Sequence, residues 1–336
     1  MKIQQKPWWI GLLSSAAVGP VLRKAGISPD RQAFDRAGHE ASIPRIPPVD
    51  GPRLLREDVE IPSADGGGTN MARLYTPRSL GEQDRVPLIV YAHGGGWCLN
   101  SGLTQPWENI CASLCTELGW CVLSVDYRRA PEHPWPAAAE DYYRCLTWLA
   151  EAPQVAPSAD RSRIVLMGES AGGNLAACAS LMWRDRRPTG VTVAHQVLLS
   201  PCIPVRPLLP SRTDPARANG AFLPAWLMEY FEVAYAGPRG VEELSSREPY
   251  FNPLAAPSLA GLPPLTGLVG GAEVLRDEGL AYFKAVGEAG VLAEWREVEG
   301  GFHAFVILPL GDAPGSWAWV RERLQADVAL ASSSQT

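Results

Sequence analysis

Ser170 lies in the segment GESAGG at residues 168–173, which fits the pattern G-x-S-x-G. An apolar run at residues 164–167 predicts a strand before this segment, and residues 171–186 predict a helix after it. Glycine on each side allows the sharp turn that exposes a serine hydroxyl. The pattern therefore predicts a serine nucleophile. A chance glycine-rich turn or a phosphate loop is the alternative, and no Lys-Ser or Lys-Thr pair supports the latter.

A run of three glycines follows His93, directly after a predicted buried strand at residues 87–92. Since glycine has no Cβ, a ligand can approach the backbone N–H groups of such a loop closely. Paired with the N–H after a nucleophilic serine, the run is typical of an oxyanion hole. We expect His93 to brace this loop and not to act as a base. The predicted oxyanion-hole residues are Gly94, Gly95, Gly96 and Ala171.

Two histidines, His195 and His303, follow Ser170 in the chain. Hydrolases of the α/β type carry the nucleophile, the acid and the histidine in that order. His195 lies inside a predicted buried strand, where a hydrogen-bonded core histidine is expected. His303 lies in a glycine-rich loop after the last predicted strand, so it is the predicted general base.

The predicted acid lies between the nucleophile and the base, in the loop at residues 270–279. Glu273 comes at the end of an apolar strand, whereas Asp277 lies near the start of a helix and could cap it or interact with its dipole. We favour Glu273 as the group that orients the imidazole, with Asp277 as the alternative acid. Trp97 follows the glycine run and Glu169 precedes the serine, and both are predicted to contact the substrate.

The elements that must position these residues alternate between short apolar runs and helical patterns. Strands are predicted at residues 54–61, 71–75, 87–92, 120–125, 164–167, 193–199, 265–269 and 293–298. Helices are predicted at residues 109–118, 137–150, 171–186, 224–235, 278–288 and 317–331. After an initial hairpin, this alternation predicts an α/β fold with a mostly parallel central sheet flanked by helices. The active site is then expected where the parallel strands end.

Two segments stand outside that alternation. Residues 201–250 are rich in proline and arginine, and we interpret them as an insertion that helps to cover the site. Residues 7–22 are apolar but short and broken by glycine and proline, which favours an amphipathic helix over a membrane anchor, the alternative.

The composition of the 336 residues is ordinary for a soluble enzyme, with 46% hydrophobic and 20% charged residues. A net charge of −6 without a basic patch argues against nucleic-acid partners. The seven cysteines fit no zinc or redox spacing, which predicts no metal site and a reducing, cytoplasmic location. Membrane association is not expected, and a homodimer is possible.

With these motifs, the sequence resembles the hormone-sensitive-lipase-like esterase family. The resemblance covers about residues 50–325. It rests on HGGGW at 93–97, DYRRAPEHPWPAAAED at 126–141, GESAGG at 168–173, LSP at 199–201, EVLRDEG at 273–279 and GGFHAF at 300–305. Glu273 departs from the usual aspartate, and Ala304 follows the histidine where a glycine is more common.

The resemblance implies an α/β-hydrolase fold with an N-terminal helical cap at residues 1–50 and a catalytic domain at residues 51–336. It also implies that the 201–250 insertion contributes to the cap, and that esters of short to medium acyl chains are the substrates. Ser170 and His303 predict two-step acyl transfer on a small-molecule ester without a cofactor. The alternatives are an amidase, a lactonase or a natural-product biosynthetic hydrolase, and a non-catalytic receptor on the same scaffold.

Overall fold

The structure of the protein is a computed structural model of the chain. It describes residues 53–218, 222–303, 305–307 and 313–330. The predicted N-terminal cap at residues 1–50, including the apolar segment at 7–22, lies outside these ranges. So does residue 304, which follows the predicted general base.

An eight-stranded sheet runs through the described part of the chain, in the order β1-β2-β4-β3-β5-β6-β7-β8. The strands are β1 Leu54–Pro62, β2 Thr69–Pro77, β3 Val86–Ala92, β4 Cys121–Val125, β5 Ala159–Glu169, β6 Val193–Leu199, β7 Leu265–Gly270 and β8 Ala293–Val298. The pairs β1–β2 and β2–β4 are antiparallel, and the remaining neighbours are parallel. The predicted hairpin and the mostly parallel sheet are therefore confirmed.

The central strands are apolar along their length because both faces of the sheet are covered. In β3, Leu88 and Val90 contribute to one hydrophobic core, whereas Ile89 and Tyr91 contribute to another. This division follows from the strand geometry, in which successive side chains point to opposite faces. Burial on both faces explains why the strand reads as a continuous hydrophobic run and not as an alternating one.

Helices cover the two faces and connect the parallel strands. The main ones are α1 Trp107–Leu118, α2 Ala137–Glu151, α3 Ala171–Arg186, α8 Arg276–Glu288 and α9 Ala313–Leu330. Apolar residues of α1 and α9 line one core, and those of α2, α3 and α8 line the other. These helices fall where helical spacing predicts them, with ends that differ by a few residues.

The segment between β6 and β7 holds more helix than the sequence predicts. The predicted helix at residues 224–235 is present as α6 Ala225–Ala236. The described part of this segment holds three further short α-helices: α4 Pro210–Thr213, α5 Pro215–Ala218 and α7 Val241–Arg247. Two of them begin at a proline, a residue that fits the first helical turn because the N–H it lacks would have no partner there. A proline-rich sequence therefore contains short helices here as well as loops.

Buried acidic and basic side chains link this segment to the helices that cover the sheet. Arg212 follows β6, is 4% exposed and pairs with Glu232 of α6. Its Nε atom lies 3.1 Å from Glu278 Oε2 on α8. The other carboxylate oxygen of Glu278 accepts the Ile203 N–H at 2.8 Å. The insertion thus meets the core through buried acidic and basic groups; burial raises the pKa of Glu278 to about 8, and Arg212 opposes that rise.

We expect Arg212→Met to lower the free energy of unfolding by about 3–5 kcal/mol, because it leaves the buried carboxyl group of Glu278 without its cationic partner, whereas Glu232 keeps its contact with Arg206. Arg144→Met is the matched control, since Arg144 pairs with Glu151 at the surface. Such surface pairs contribute about 0–1 kcal/mol. Urea unfolding of both variants tests this, and equal losses would contradict a stabilising role for the buried pairs.

Candidate active site

Ser170 occupies the turn between β5 and α3, with φ 56° and ψ −121°. This backbone conformation is uncommon for a residue with a side chain. The turn is pressed against the end of β3, since a Cβ on Gly172 would lie 2.1 Å from the Ala92 carbonyl oxygen. Glycine is therefore required there, and the tight turn holds the serine at the carboxyl end of the parallel strands.

Three side chains from distant parts of the chain meet at this turn. The Nε2 atom of His303 lies 3.1 Å from Ser170 Oγ, and its Nδ1 atom lies 2.8 Å from Glu273 Oε2. The other oxygen of Glu273 accepts hydrogen bonds from Ser200 Oγ at 2.7 Å and from the Gly270 N–H at 2.6 Å. Because the carboxylate is held at both oxygens, it favours the imidazole tautomer with the proton on Nδ1, which leaves Nε2 free to accept a proton from the serine.

Asp277, the alternative acid, makes different contacts. One of its oxygens accepts the Ser211 N–H at 2.8 Å, and the other accepts from Arg276 at 2.5 Å. It lies in the first turn of α8, where a carboxylate interacts favourably with the helix dipole. The structure therefore brings Glu273, and not Asp277, to the imidazole.

The three N–H groups of the glycine loop after β3 differ in their hydrogen bonding. The Gly94 N–H donates to the carboxylate of Glu169. Within the described residues, the N–H groups of Gly95, Gly96 and Ala171 have no hydrogen-bond partner. The inclusion of Gly94 in the predicted oxyanion hole is thus corrected, because its amide already has a buried acceptor.

Trp97 is predicted to contact the substrate, and the structure contradicts this. Its side chain is fully buried, and its ring stacks on Tyr235 of α6 with centroids 4.4 Å apart. Phe231, one turn earlier on α6, closes over the loop so tightly that a Cβ on Gly96 would lie 2.3 Å from its ring. Trp97 therefore packs the glycine loop against α6.

Glu169 is the second predicted substrate contact that the structure corrects. It is 2% exposed, and its carboxylate accepts hydrogen bonds from three donors. These donors are the Gly94 N–H, Trp107 Nε1 at 2.5 Å and Tyr91 Oη at 2.5 Å. Both carboxylate oxygens therefore accept hydrogen bonds beneath the glycine loop.

His93 braces the loop, as the sequence predicts. Its Nδ1 lies 2.8 Å from the Gly94 carbonyl oxygen, and the hydroxyl of Tyr127 donates to the His93 carbonyl oxygen at 2.7 Å. The Tyr127 ring also stacks on the imidazole, with centroids 4.3 Å apart. Burial lowers the pKa of His93 to about 4, so the ring is neutral at neutral pH and too weakly basic to take a proton from a nucleophile.

Comparison with known proteins places this site in a family. A family model of the alpha/beta hydrolase fold matches residues 89–307. The carboxylic ester hydrolase LipN of Mycobacterium tuberculosis is 33% identical over 312 residues, which cover 90% of this chain and 77% of that protein. The chain belongs to the hormone-sensitive-lipase-like carboxylesterase family of α/β-hydrolases.

Two further proteins that are similar to this chain have names that state different activities. An esterase of Pyrobaculum calidifontis is 34% identical and superposes with a TM-score of 0.72, covering 81% of this chain and 85% of that one. A 2-hydroxyisoflavanone dehydratase of Glycyrrhiza echinata is 33% identical over 71% of this chain and 76% of that protein. The α/β-hydrolase fold predicted from the sequence is confirmed.

Sequence reasoning missed three of the residues that hold this carboxylesterase-family site together. Ser200 follows β6 directly, and a polar residue at the carboxyl end of a buried strand was the available signal. Tyr127 lies in the DYRR segment, and its role becomes evident only from its contact in space with the buried His93. Phe231 gives no signal, because nothing local shows that α6 reaches the glycine loop.

The described residues lack the features of a metal site and of a membrane span. They contain no group of three or more His, Cys, Asp or Glu side chains arranged to hold a metal ion. In the same ranges, none of the helices combines the length and the apolar character needed to cross a bilayer.

Proposed function

We propose that this protein hydrolyses carboxylic esters of short to medium acyl chain length by two-step acyl transfer. Ser170 is the nucleophile, His303 the general base and Glu273 the acid. The observation that carries the proposal is the 3.1 Å approach of His303 Nε2 to Ser170 Oγ beside the available N–H groups of the glycine loop. Nucleophile, base and oxyanion donors are the three components that acyl transfer requires.

In the first step, Ser170 Oγ attacks the ester carbonyl carbon while its proton passes to His303 Nε2. The charge on Glu273 offsets the imidazolium that forms. The carbonyl oxygen becomes an oxyanion that accepts hydrogen bonds from the N–H groups of Gly95, Gly96 and Ala171. Collapse of the tetrahedral intermediate then breaks the ester C–O bond. The alcohol leaves with the proton that His303 returns, and the acyl group stays on Ser170.

In the second step, a water molecule takes the place of the alcohol. His303 removes its proton as the water oxygen attacks the acyl carbon, and the same amides stabilise the second oxyanion. The Ser170 Oγ–acyl bond breaks, the acid is released, and the serine recovers its proton. The proposed preference for short to medium acyl chains rests on the resemblance of this sequence to the family, a resemblance that includes several motifs around the site.

A substrate panel tests this proposal and separates it from the alternatives. The panel contains p-nitrophenyl acetate, butyrate, octanoate and palmitate, with butyranilide, a γ-lactone and a 2-hydroxyisoflavanone. We expect kcat/KM to be greatest within the first three esters. Faster turnover of the anilide, the lactone or the isoflavanone would assign the site to an amidase, a lactonase or a dehydratase. Each rate is corrected for the reaction without protein, and Ser170→Ala is measured beside the wild type on every substrate.

A further inference from the structure

The carboxylate of Glu169 lies directly beneath the glycine loop and belongs to the residue that precedes the nucleophile. Its Oε1 atom accepts from the Gly94 N–H and from Trp107 Nε1, and its Oε2 atom accepts from the Tyr91 hydroxyl. The loop is thereby joined to β3, to α1 and to the nucleophile turn through one side chain. These contacts involve no atom that the acyl-transfer steps use.

The conformation of the loop explains why such an anchor matters. After Gly94 the backbone enters the left-handed region, with φ 121° at Gly95 and φ 60° at Gly96. Glycines adopt many other conformations with little cost, so their own preferences do not hold this turn. The hydrogen bond from the Gly94 N–H to the Glu169 carboxylate fixes the peptide unit immediately before this turn. An oxyanion hole is effective only when its donors are held in place before the reaction begins.

We propose that Glu169 is a positioning residue that, as a carboxylate, holds the oxyanion loop with the Gly95 and Gly96 N–H groups facing the substrate. This inference rests on the proposed function. All three partners are donors, and a carboxylate is the side chain that accepts from all of them without a proton of its own. A hydrogen bond to an ionised acceptor is about twice as strong as one between neutral groups.

The surroundings of Glu169 make its ionisation sensitive to pH. The titratable groups that face it are Tyr91 from β3, Cys111 from α1 and Tyr127 from the loop after β4. Burial raises the pKa of each of these, so they carry no charge at neutral pH, and His93 above them is also neutral. Burial likewise raises the pKa of Glu169, to about 7, against the opposing effect of its three hydrogen bonds. The carboxylate form is therefore lost as the pH falls through about 7.

The test is the pH dependence of kcat/KM for p-nitrophenyl butyrate in the wild type and in Glu169→Gln. If Glu169 and His303 must both be deprotonated, the acid limb of log kcat/KM approaches a slope of about two, and in Glu169→Gln it falls to about one. Glutamine has the same shape but no charge. We therefore also expect kcat at pH 8 to fall roughly ten- to a hundredfold, with KM changed less than about threefold.

Tyr91→Phe is the second variant, which keeps Glu169 and removes one of its donors. The acid limb should then move to higher pH, because the carboxylate loses part of its stabilisation. Tyr142→Phe is the matched control. The buried Tyr142 hydroxyl donates to the carbonyl oxygen of Val90, the neighbour of Tyr91 in β3, at 2.6 Å but does not contact the glycine loop. The acid limb of Tyr142→Phe should therefore stay where it is in the wild type.

A wild-type kcat in Glu169→Gln, or an acid limb of unchanged slope, would overturn the inference. If Glu169→Gln does not fold, an unshifted limb in Tyr91→Phe would overturn it alone. These failures differ from a failure of the proposed function, which would appear as activity that survives in Ser170→Ala.

Discussion

Replacing Ser170 by alanine should lower kcat for p-nitrophenyl butyrate by about 10⁴- to 10⁶-fold. The variant lacks the oxygen that forms the acyl-enzyme, so only the catalysis supplied by the oxyanion donors and by substrate binding remains. The backbone of the turn is set by the glycines around position 170, and alanine adds no atom to it. The free energy of unfolding should therefore change little, which a urea denaturation curve would show.

The matched control is Ser180→Ala, in α3, the helix that follows the nucleophile turn. The Ser180 hydroxyl is buried and donates to the Ala176 carbonyl oxygen at 2.8 Å, away from the site. Its removal should leave kcat within about twofold of the wild type, since it touches no group of the mechanism. Comparable activity in the two variants would mean that Ser170 is not the nucleophile.

Glu273→Gln should lower kcat by about 10³- to 10⁴-fold. Glutamine keeps the length of the side chain but removes the charge that offsets the imidazolium. Its amide nitrogen also favours the tautomer of His303 with the proton on Nε2, which cannot accept the serine proton. KM should change much less than kcat, because Glu273 contacts the imidazole and not the substrate.

Asp277→Asn is the control for the acid. Asp277 is half-buried and bonds to Ser211 and Arg276, so its amide should reduce kcat by no more than about threefold. The two kcat values, measured at one pH on one ester, decide between the candidates. A greater loss in Asp277→Asn than in Glu273→Gln would transfer the role of the acid to Asp277.

The sequence predicted what depends on short-range pattern and chain order. Ser170 was identifiable because a strand, a tight turn and a helix must follow one another within a few residues. His303 was identifiable because few histidines follow the serine, and the other one, His195, lies in a buried strand. The alternation of short apolar runs with helical patterns likewise predicted the sheet and the main helices.

What the sequence could not predict depends on side-chain direction. Trp97 and Glu169 are next to reactive positions in the chain, yet both turn away from them, one into the α6 contact and the other under the loop. For the same reason, three consecutive glycines looked equivalent as donors. Only the position of the Glu169 carboxylate distinguishes Gly94 from Gly95 and Gly96.

The account depends most on Ser170 being a hydroxyl that His303 activates, and covalent labelling measures this directly. Wild-type protein, Ser170→Ala and His303→Ala would be treated with a fluorophosphonate and followed by intact-protein mass spectrometry. We expect one adduct on the wild type, located at Ser170, none on Ser170→Ala, and labelling at least about 10²-fold slower in His303→Ala. An adduct on Ser170→Ala, or wild-type labelling kinetics without the imidazole, would contradict the account.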